Sequence, residues 1–175
     1  MPFSEQTLLA KTVTLADFTC PGLLVPRLRG ADAPAVIHEL CSAAEREGYL
    51  VNMLPFYNAV TNREYLAKSE APTGWAMPCA EIKGLSRPWF AVGRCLIPIN
   101  WSGSRVGPVS TVILTAIPDT GSSTYSQLTA GLARLGRSTA LSRLLSEAEN
   151  PVQMMELLQE IGLRLESTRT MGRQP

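Results

Sequence analysis

The chain has 175 residues, of which 45% are hydrophobic and 18% are charged, a composition typical of one globular domain rather than a disordered segment. Its net charge of +1 argues against a uniformly basic surface for nucleic acid. No apolar run approaches the ~20 residues that a membrane-spanning helix needs, and residues 1–6 lack the basic and apolar blocks of a signal peptide. We therefore expect a cytoplasmic protein with a single domain over residues 1–175 and no membrane insertion.

The cysteines provide no support for a metal site. Cys20, Cys41, Cys79 and Cys95 are far apart and form no C-x-x-C pair, the spacing that structural zinc sites commonly use. Without an export signal, free thiols are expected rather than disulfides. The simplest interpretation of each is a small buried hydrophobe, but the pattern around Cys79 also gives that residue a candidate chemical role.

The first half of the chain predicts two helices after an irregular start. Residues 2–30 are punctuated by proline and glycine and are expected to be irregular or to form short strands. Asp32 as an N-cap with Pro34 in the first turn predicts a helix that ends near Gly48. A second helix is predicted from about Asn52. Its apolar stripe is expected to contain Phe56, Ala59, Val60, Arg63, Leu66 and Ala67.

The second half predicts strands followed by helices, so the fold class is α/β. Strands are expected over 75–80, about 88–99 and 109–117, the last of them apolar and β-branched like a central strand buried on both faces. A helix follows and is expected to break at Gly136. Two more follow it, the second opened by Asn150 and Pro151. Residues 166–175 are expected to form a loose tail.

Arg63 is notable because it lies in the predicted apolar stripe of the second helix. A buried charge without a partner costs several kcal/mol. The guanidinium is therefore expected to reach the helix edge, to pair with a carboxylate such as Glu64 or Glu70, or to face an anion. Its fork of paired donors suits phosphate.

The single histidine, His38, lies on the first predicted helix and away from any motif. This position removes most support for Ser-His-Asp and Cys-His mechanisms. Nothing in the sequence indicates a nucleotide or flavin site, so no cofactor is predicted.

The most specific pattern lies in residues 62–80. Asn62-Arg63-Glu64 is followed by Ser69 and then by Gly74-Trp75-Ala76-Met77-Pro78-Cys79. This order resembles the enzyme IIA proteins of the fructose/mannitol/nitrogen-regulatory class in the bacterial phosphotransferase system. They carry an Arg-Glu pair, a Ser-Thr-Gly-rich loop and a strand ending in Gly-Ile-Ala-Ile-Pro-His. Residues 128–135 are similar to the family's Leu-x-x-Leu-Ala-x-x-Leu pattern. The resemblance covers about 22–162, with loose tails outside this core, and implies a mixed β-sheet flanked by helices on both sides.

The resemblance also implies which chemistry has changed. In that family the motif histidine carries a phosphoryl group, and the arginine holds the phosphoryl oxygens. Cys79 stands at the histidine position, and Arg63 matches the arginine. Thr124 falls at or near the place of a second, stabilising histidine. Glu70 replaces the loop threonine, and its charge would repel phosphate unless Arg63 neutralises it.

Three functional hypotheses follow. The chain is a degenerate regulatory protein that has lost phosphotransfer and binds a protein partner, such as a transporter, a sensor or another regulator. Alternatively, Cys79 accepts the phosphoryl group itself, since a nearby arginine favours the thiolate. The third possibility is a small anion or metabolite bound at a cleft formed by Arg63, Glu64, Ser69 and Glu70. In each case Arg63 and Cys79 are expected to line one cleft, with Thr124 nearby.

Overall fold

The computed structural model describes residues 12–71, 73–103 and 106–165. Within these ranges the chain forms a six-stranded mixed sheet, five α-helices and two short 3-10 turns. The turns are Leu15–Phe18 and Pro21–Leu23. The strands are β1 (Leu24–Leu28), β2 (Glu70–Ala71), β3 (Trp75–Ala76), β4 (Cys79–Ile82), β5 (Trp89–Ile99) and β6 (Val109–Pro118). The helices are α1 (Ala33–Arg46), α2 (Met53–Leu66), α3 (Ser123–Arg137), α4 (Thr139–Glu147) and α5 (Pro151–Gln159). The tail predicted at 166–175 lies outside the described residues.

None of the helices in this part of the chain has the length and apolarity that a bilayer crossing requires.

β6 is the central strand of the sheet, as its sequence predicted. The strand order is β1-β5-β6-β3-β2, and β4 pairs with β6 beyond β3. β5 runs antiparallel to β6, whereas β1 runs parallel to β5, and β3 and β4 run parallel to β6. Because both edges of β6 are hydrogen-bonded and both faces are covered, its almost continuously apolar sequence fits this position.

Helices cover both faces of the sheet, which confirms the predicted α/β architecture. Val112 and Leu114 of β6 belong to the core layer beneath α1 and α2. Ile113 points to the opposite face, where it joins Phe90 and Val92 of β5 under α3, α4, α5 and the first 3-10 turn. The alternation along the two strands is the period of two that a pleated strand imposes.

The strand predicted at 75–80 is split into β3 and β4. Pro78 has no N–H to donate to a ladder, and the N–H of Met77 turns away from β6 to the Ser69 hydroxyl, 3.1 Å away. Pairing with β6 resumes at Cys79, which lies opposite Thr115.

The packed region begins earlier than the sequence predicted. Residue 22 was the expected start of the core, but Leu15 and Phe18 are buried among the residues under α3 and α5. The Leu15 N–H donates to the Ile161 carbonyl at 3.0 Å, and the Leu163 N–H donates to the Val13 carbonyl at 2.7 Å. The start of the described chain is thus fastened to its end.

The predicted break at Gly136 is wrong by two residues, because α3 continues to Arg137. A Cβ at Gly136 would lie 3.5 Å from the Trp75 ring, an ordinary van der Waals contact, so α3 packs on β3 at this residue and the glycine does not end the helix.

The apolar stripe predicted for α2 is wrong on one side of the helix. Its buried residues are Met53, Phe56, Val60 and Glu64, and Arg63 is exposed, as are Ala59, Leu66 and Ala67. The sequence pattern was ambiguous because α2 carries apolar side chains on more than one face, so the partners in the fold decide which face is buried.

Candidate functional site

Cys79 is the first residue of β4 and directly follows Pro78. Its side chain is half-buried, and the Pro78 carbonyl accepts a hydrogen bond from the Thr115 N–H at 3.0 Å. The strand register therefore fixes where the thiol stands.

A single carboxylate oxygen organises the loop before Cys79. Glu64 Oε1 accepts hydrogen bonds from the Ser69 N–H at 2.7 Å, the Ser69 hydroxyl at 3.0 Å and the Trp101 indole N–H at 2.6 Å. The Ser69 hydroxyl in turn accepts from the Met77 N–H. This chain of bonds joins α2 to the loop and to the residues just before Cys79. Glu64 and Ser69 therefore position this loop, and the binding role predicted for them stays a prediction.

Burial decides the ionisation of Cys79. It raises the pKa of the thiol above its ordinary value; the Arg63 charge lowers this pKa, and the Glu64 and Glu81 carboxylates add to the increase. The sequence predicted that Arg63 would favour the thiolate. The sign of the arginine effect agrees, but desolvation outweighs it, and the thiol is protonated at neutral pH.

Arg63 does not pair with Glu70. No carboxylate in the described ranges lies within 4 Å of the Arg63 guanidinium, which is exposed on α2. Glu70 opens β2 instead and accepts a hydrogen bond from the Ser102 hydroxyl. The expected ion pair is therefore not formed, because the Trp101–Ser102 turn holds both acidic side chains of this region.

Thr124 lies in the first turn of α3, whose N-cap Ser122 accepts from the Tyr125 N–H at 3.2 Å. Its side chain is half-buried. No hydrogen bond between Thr124 and Cys79 is found in the described ranges, so its place in one cleft with Cys79 stays a prediction.

The single imidazole lies on α1, an element that carries neither Arg63 nor Cys79. His38 is exposed on α1, and its ring contacts Tyr57 edge-on with centroids 5.5 Å apart. In residues 12–71, 73–103 and 106–165, no three His, Cys, Asp or Glu side chains converge into a set that would hold a metal ion.

The part of this site that sequence reasoning missed is Trp101. It is buried after the end of β5 and reaches Glu64 across 37 positions of sequence. A tryptophan in the polar run Asn100-Trp101-Ser102-Gly103 was the available signal, since a buried indole N–H usually finds an acceptor.

Apolar side chains are exposed along α2, the helix that carries Arg63. Tyr65 is 82% exposed, Leu66 83% and Leu54 55%, and Val51 just before the helix is fully exposed. Isolated exposed apolar residues are common, but Tyr65 and Leu66 are adjacent and lie beside a candidate site, and clustered apolar exposure of this kind is found at interaction surfaces.

Comparison with known proteins adds a family and a set of similar folds. Residues 22–161 match the family described as phosphoenolpyruvate-dependent sugar phosphotransferase system, EIIA 2. The nitrogen regulatory protein IIA-Ntr from Neisseria meningitidis is 18% identical with a TM-score of 0.69, over 82% of this chain and 98% of that chain.

Two Escherichia coli structures are similar as well. The mannitol-specific cryptic phosphotransferase enzyme IIA CmtB is 13% identical with a TM-score of 0.66, over 85% of this chain and 99% of that one. Enzyme IIAMTL, in its complex with phosphorylated enzyme IIBMTL, is 14% identical with a TM-score of 0.65, over 81% of this chain and 96% of that one. At these identities the structural likeness establishes the fold alone.

Proposed function

Since this chain belongs to the phosphotransferase-system EIIA 2 family, we propose that it is a cytoplasmic regulatory member that has lost histidine phosphotransfer and acts by binding a protein partner. The partner is a transporter component, a sensor or another regulator, and it docks on the surface that α2 presents beside Cys79.

The observation that carries this proposal is the side chain at the position of the family's phosphohistidine. A phosphoryl acceptor needs an available lone pair, and for a cysteine this means the thiolate. Cys79 is a half-buried thiol whose pKa is raised mainly by burial. The single histidine, His38, lies on α1, whereas Cys79 begins β4. Neither group is suited to carry phosphate at this site.

Protein binding is supported by the exposed apolar residues of α2. Tyr65 and Leu66 follow directly after Arg63 and Glu64, so a partner that covers them also covers the position of the site. One relative of the same fold was solved in a complex with another protein of the phosphotransferase system, which makes a protein partner a natural expectation for this scaffold.

A phosphotransfer assay tests the first half of the proposal. The chain is incubated with labelled phosphoenolpyruvate, enzyme I and the histidine phosphocarrier protein, with a histidine-bearing IIA protein as positive control. We expect no label on the chain. Label that is lost in Cys79→Ser would establish cysteine phosphotransfer instead, and label lost in His38→Ala would place the chemistry on α1.

A capture experiment tests the second half. The chain is used as bait with extracts of the cells that produce it, alongside Leu66→Asp and the matched control Val152→Asp on α5, which is also exposed. We expect a specific partner with the wild type and with Val152→Asp but not with Leu66→Asp. Equal capture by all three would remove α2 as the docking surface.

Anion binding at Arg63 is a second candidate, favoured by the exposed guanidinium with no carboxylate within 4 Å in the described ranges. Titration with phosphate, followed by amide shifts over residues 63–80, should show weak binding that Arg63→Ala abolishes. Glu70→Gln should leave the affinity unchanged, because Glu70 bonds Ser102 rather than Arg63. No shifts in the wild type would exclude an anion site.

A further inference from the structure

A cleft of about 370 Å³ lies between the first turn of α1, the last turns of α2 and Trp101. This volume is in the range of small-molecule sites, about 300–1,000 Å³. Arg63 and Cys79 do not line it, whereas Glu64, which holds the loop before Cys79, does.

One wall of the cleft is apolar and is formed by Pro34 and Ile37 of α1. The floor holds the Glu64 carboxylate, which is only 9% exposed. Its Oε1 accepts three hydrogen bonds from Ser69 and Trp101. No hydrogen bond to Oε2 is found in the described part of the chain, so this oxygen is the acceptor that Glu64 offers to the cleft.

The rim of the cleft carries the opposite charge. Lys68 lines it just beyond the end of α2 and is exposed. A simple cation would be attracted by Glu64 but repelled by Lys68. A simple anion would be attracted by Lys68 but repelled by Glu64. Only a molecule with both charges satisfies the two ends.

We propose that this cleft binds a small zwitterion. Its ammonium group lies toward Glu64, its anionic group lies toward Lys68, and a short apolar body packs against Pro34 and Ile37; aliphatic α-amino acids are one such class. The inference goes beyond the proposed function. Tyr65 lines the cleft and also belongs to the exposed face of α2, so the tests below measure small-molecule binding to the chain without a protein partner.

A molecule bound in the cleft would contact the carboxylate of Glu64, and the same carboxylate holds the loop of the candidate site. Glu64 anchors Ser69, and Ser69 anchors Met77, two residues before Cys79. Binding at Glu64 is therefore expected to shift the amide signals of Ser69 and Met77 as well as those of the cleft.

Three matched probes test the charge requirement. Leucine carries both charges, isoamylamine is the same molecule without its carboxylate, and 4-methylpentanoate lacks only the ammonium group. We expect saturable amide shifts at Ile37, Asn62 and Trp101 with leucine, and affinities weaker by about tenfold for the two singly charged probes. Equal affinities for all three, or no shifts with leucine, would overturn the proposal.

Paired variants test the location. Asn62→Trp fills the cleft, and Asn58→Trp places the same bulk on the exposed surface of α2 one turn earlier, outside the cleft. We expect Asn62→Trp to abolish leucine binding and Asn58→Trp to retain it. Lys68→Ala changes an exposed side chain and should reduce leucine affinity to that of isoamylamine. Loss of binding in both tryptophan variants, or full affinity in Lys68→Ala, would contradict the assignment whatever the folding of Asn62→Trp.

Discussion

Glu64 is the residue on which the local structure around Cys79 most depends. Three donors converge on one of its oxygens, and hydrogen bonds to a charged group contribute about 1.5–3 kcal/mol each at most, with incomplete additivity. A carboxamide keeps an oxygen that accepts from an N–H, whereas a methyl group removes every acceptor.

We therefore predict that Glu64→Ala lowers the free energy of unfolding by about 3 kcal/mol and that Glu64→Gln lowers it by less. Urea denaturation measures both, and hydrogen exchange at the Met77 amide reports the loosened loop. Glu156→Ala, on the exposed surface of α5, serves as the control. A stability for Glu64→Ala equal to that of the control would show that the three bonds do not support the fold.

The thiol of Cys79 gives a prediction about pH. Because the thiolate is the reactive form and burial raises the pKa of this thiol, alkylation by iodoacetamide should be slow at neutral pH. Its rate should rise through a midpoint above the ordinary value of 9.0. Arg63→Ala removes a charge that lowers this pKa, so its midpoint should move higher, and Arg63→Lys should not move it.

Mass spectrometry of the peptide that contains Cys79 measures the rate at each pH. Cys41 and Cys95 act as internal controls, because burial raises their pKa values to about 12 and about 11. A midpoint for Cys79 below 9 would contradict the burial argument and revive the nucleophilic role of this residue.

At the scale of elements, local signals placed most of the helices and strands. Asp32 caps α1 by accepting from the Ala35 N–H at 2.9 Å, and Asn150 caps α5 by accepting from Gln153 at 3.0 Å. These signals lie within one helical turn of the residues they position, so the sequence alone revealed them. The motif at residues 62–80 likewise predicted the family, which is confirmed.

The orientation of α2 and the ionisation of Cys79 were not predictable in the same way. Arg63 and Glu64 are neighbours in sequence, and either could have pointed inward on an apolar helix. Glu64 is buried because Trp101 and Ser69 supply its donors, and these partners are apparent only after the chain has folded. The pKa of Cys79 depends on burial, which no local pattern encodes.

Gly93 and Gly136 give a prediction about packing, because an added methyl group would clash at one position and fit at the other. A Cβ at Gly93 of β5 would lie 2.3 Å from a Leu28 side-chain atom, whereas a Cβ at Gly136 of α3 would contact Trp75 at 3.5 Å. Gly93→Ala should therefore destabilise the pairing of β1 with β5 by about 1–3 kcal/mol through overpacking. Gly136→Ala should stabilise α3 by up to about 1 kcal/mol.

Thermal unfolding of the two variants beside the wild type measures these changes. Shifts of the same sign would contradict the contrast in contacts, since the two substitutions add the same methyl group.

At the scale of the whole molecule, the layer beneath α3 and α5 is closed by the first 3-10 turn. Leu15 is fully buried there, and the segments around Thr14 and Gly162 form an antiparallel bridge. Leu15→Ala should therefore cost about 2.7–5 kcal/mol, and the unfolding transition should remain a single cooperative step. Retention of wild-type stability would mean that the N-terminal segment is dispensable, as the expectation of a core from residue 22 implied.

The bridge between the segments around Thr14 and Gly162 also has a consequence during synthesis. β1 leaves the ribosome well before its partner residues, such as Val92 opposite Leu24. The hydrogen bond from the Leu15 N–H to the Ile161 carbonyl can form only later still, after residue 161 has been synthesised. At about 5–20 residues per second, the apolar side chains before residue 25 are without their final cover for about 7–30 s, a period in which a nascent-chain chaperone has a defined target.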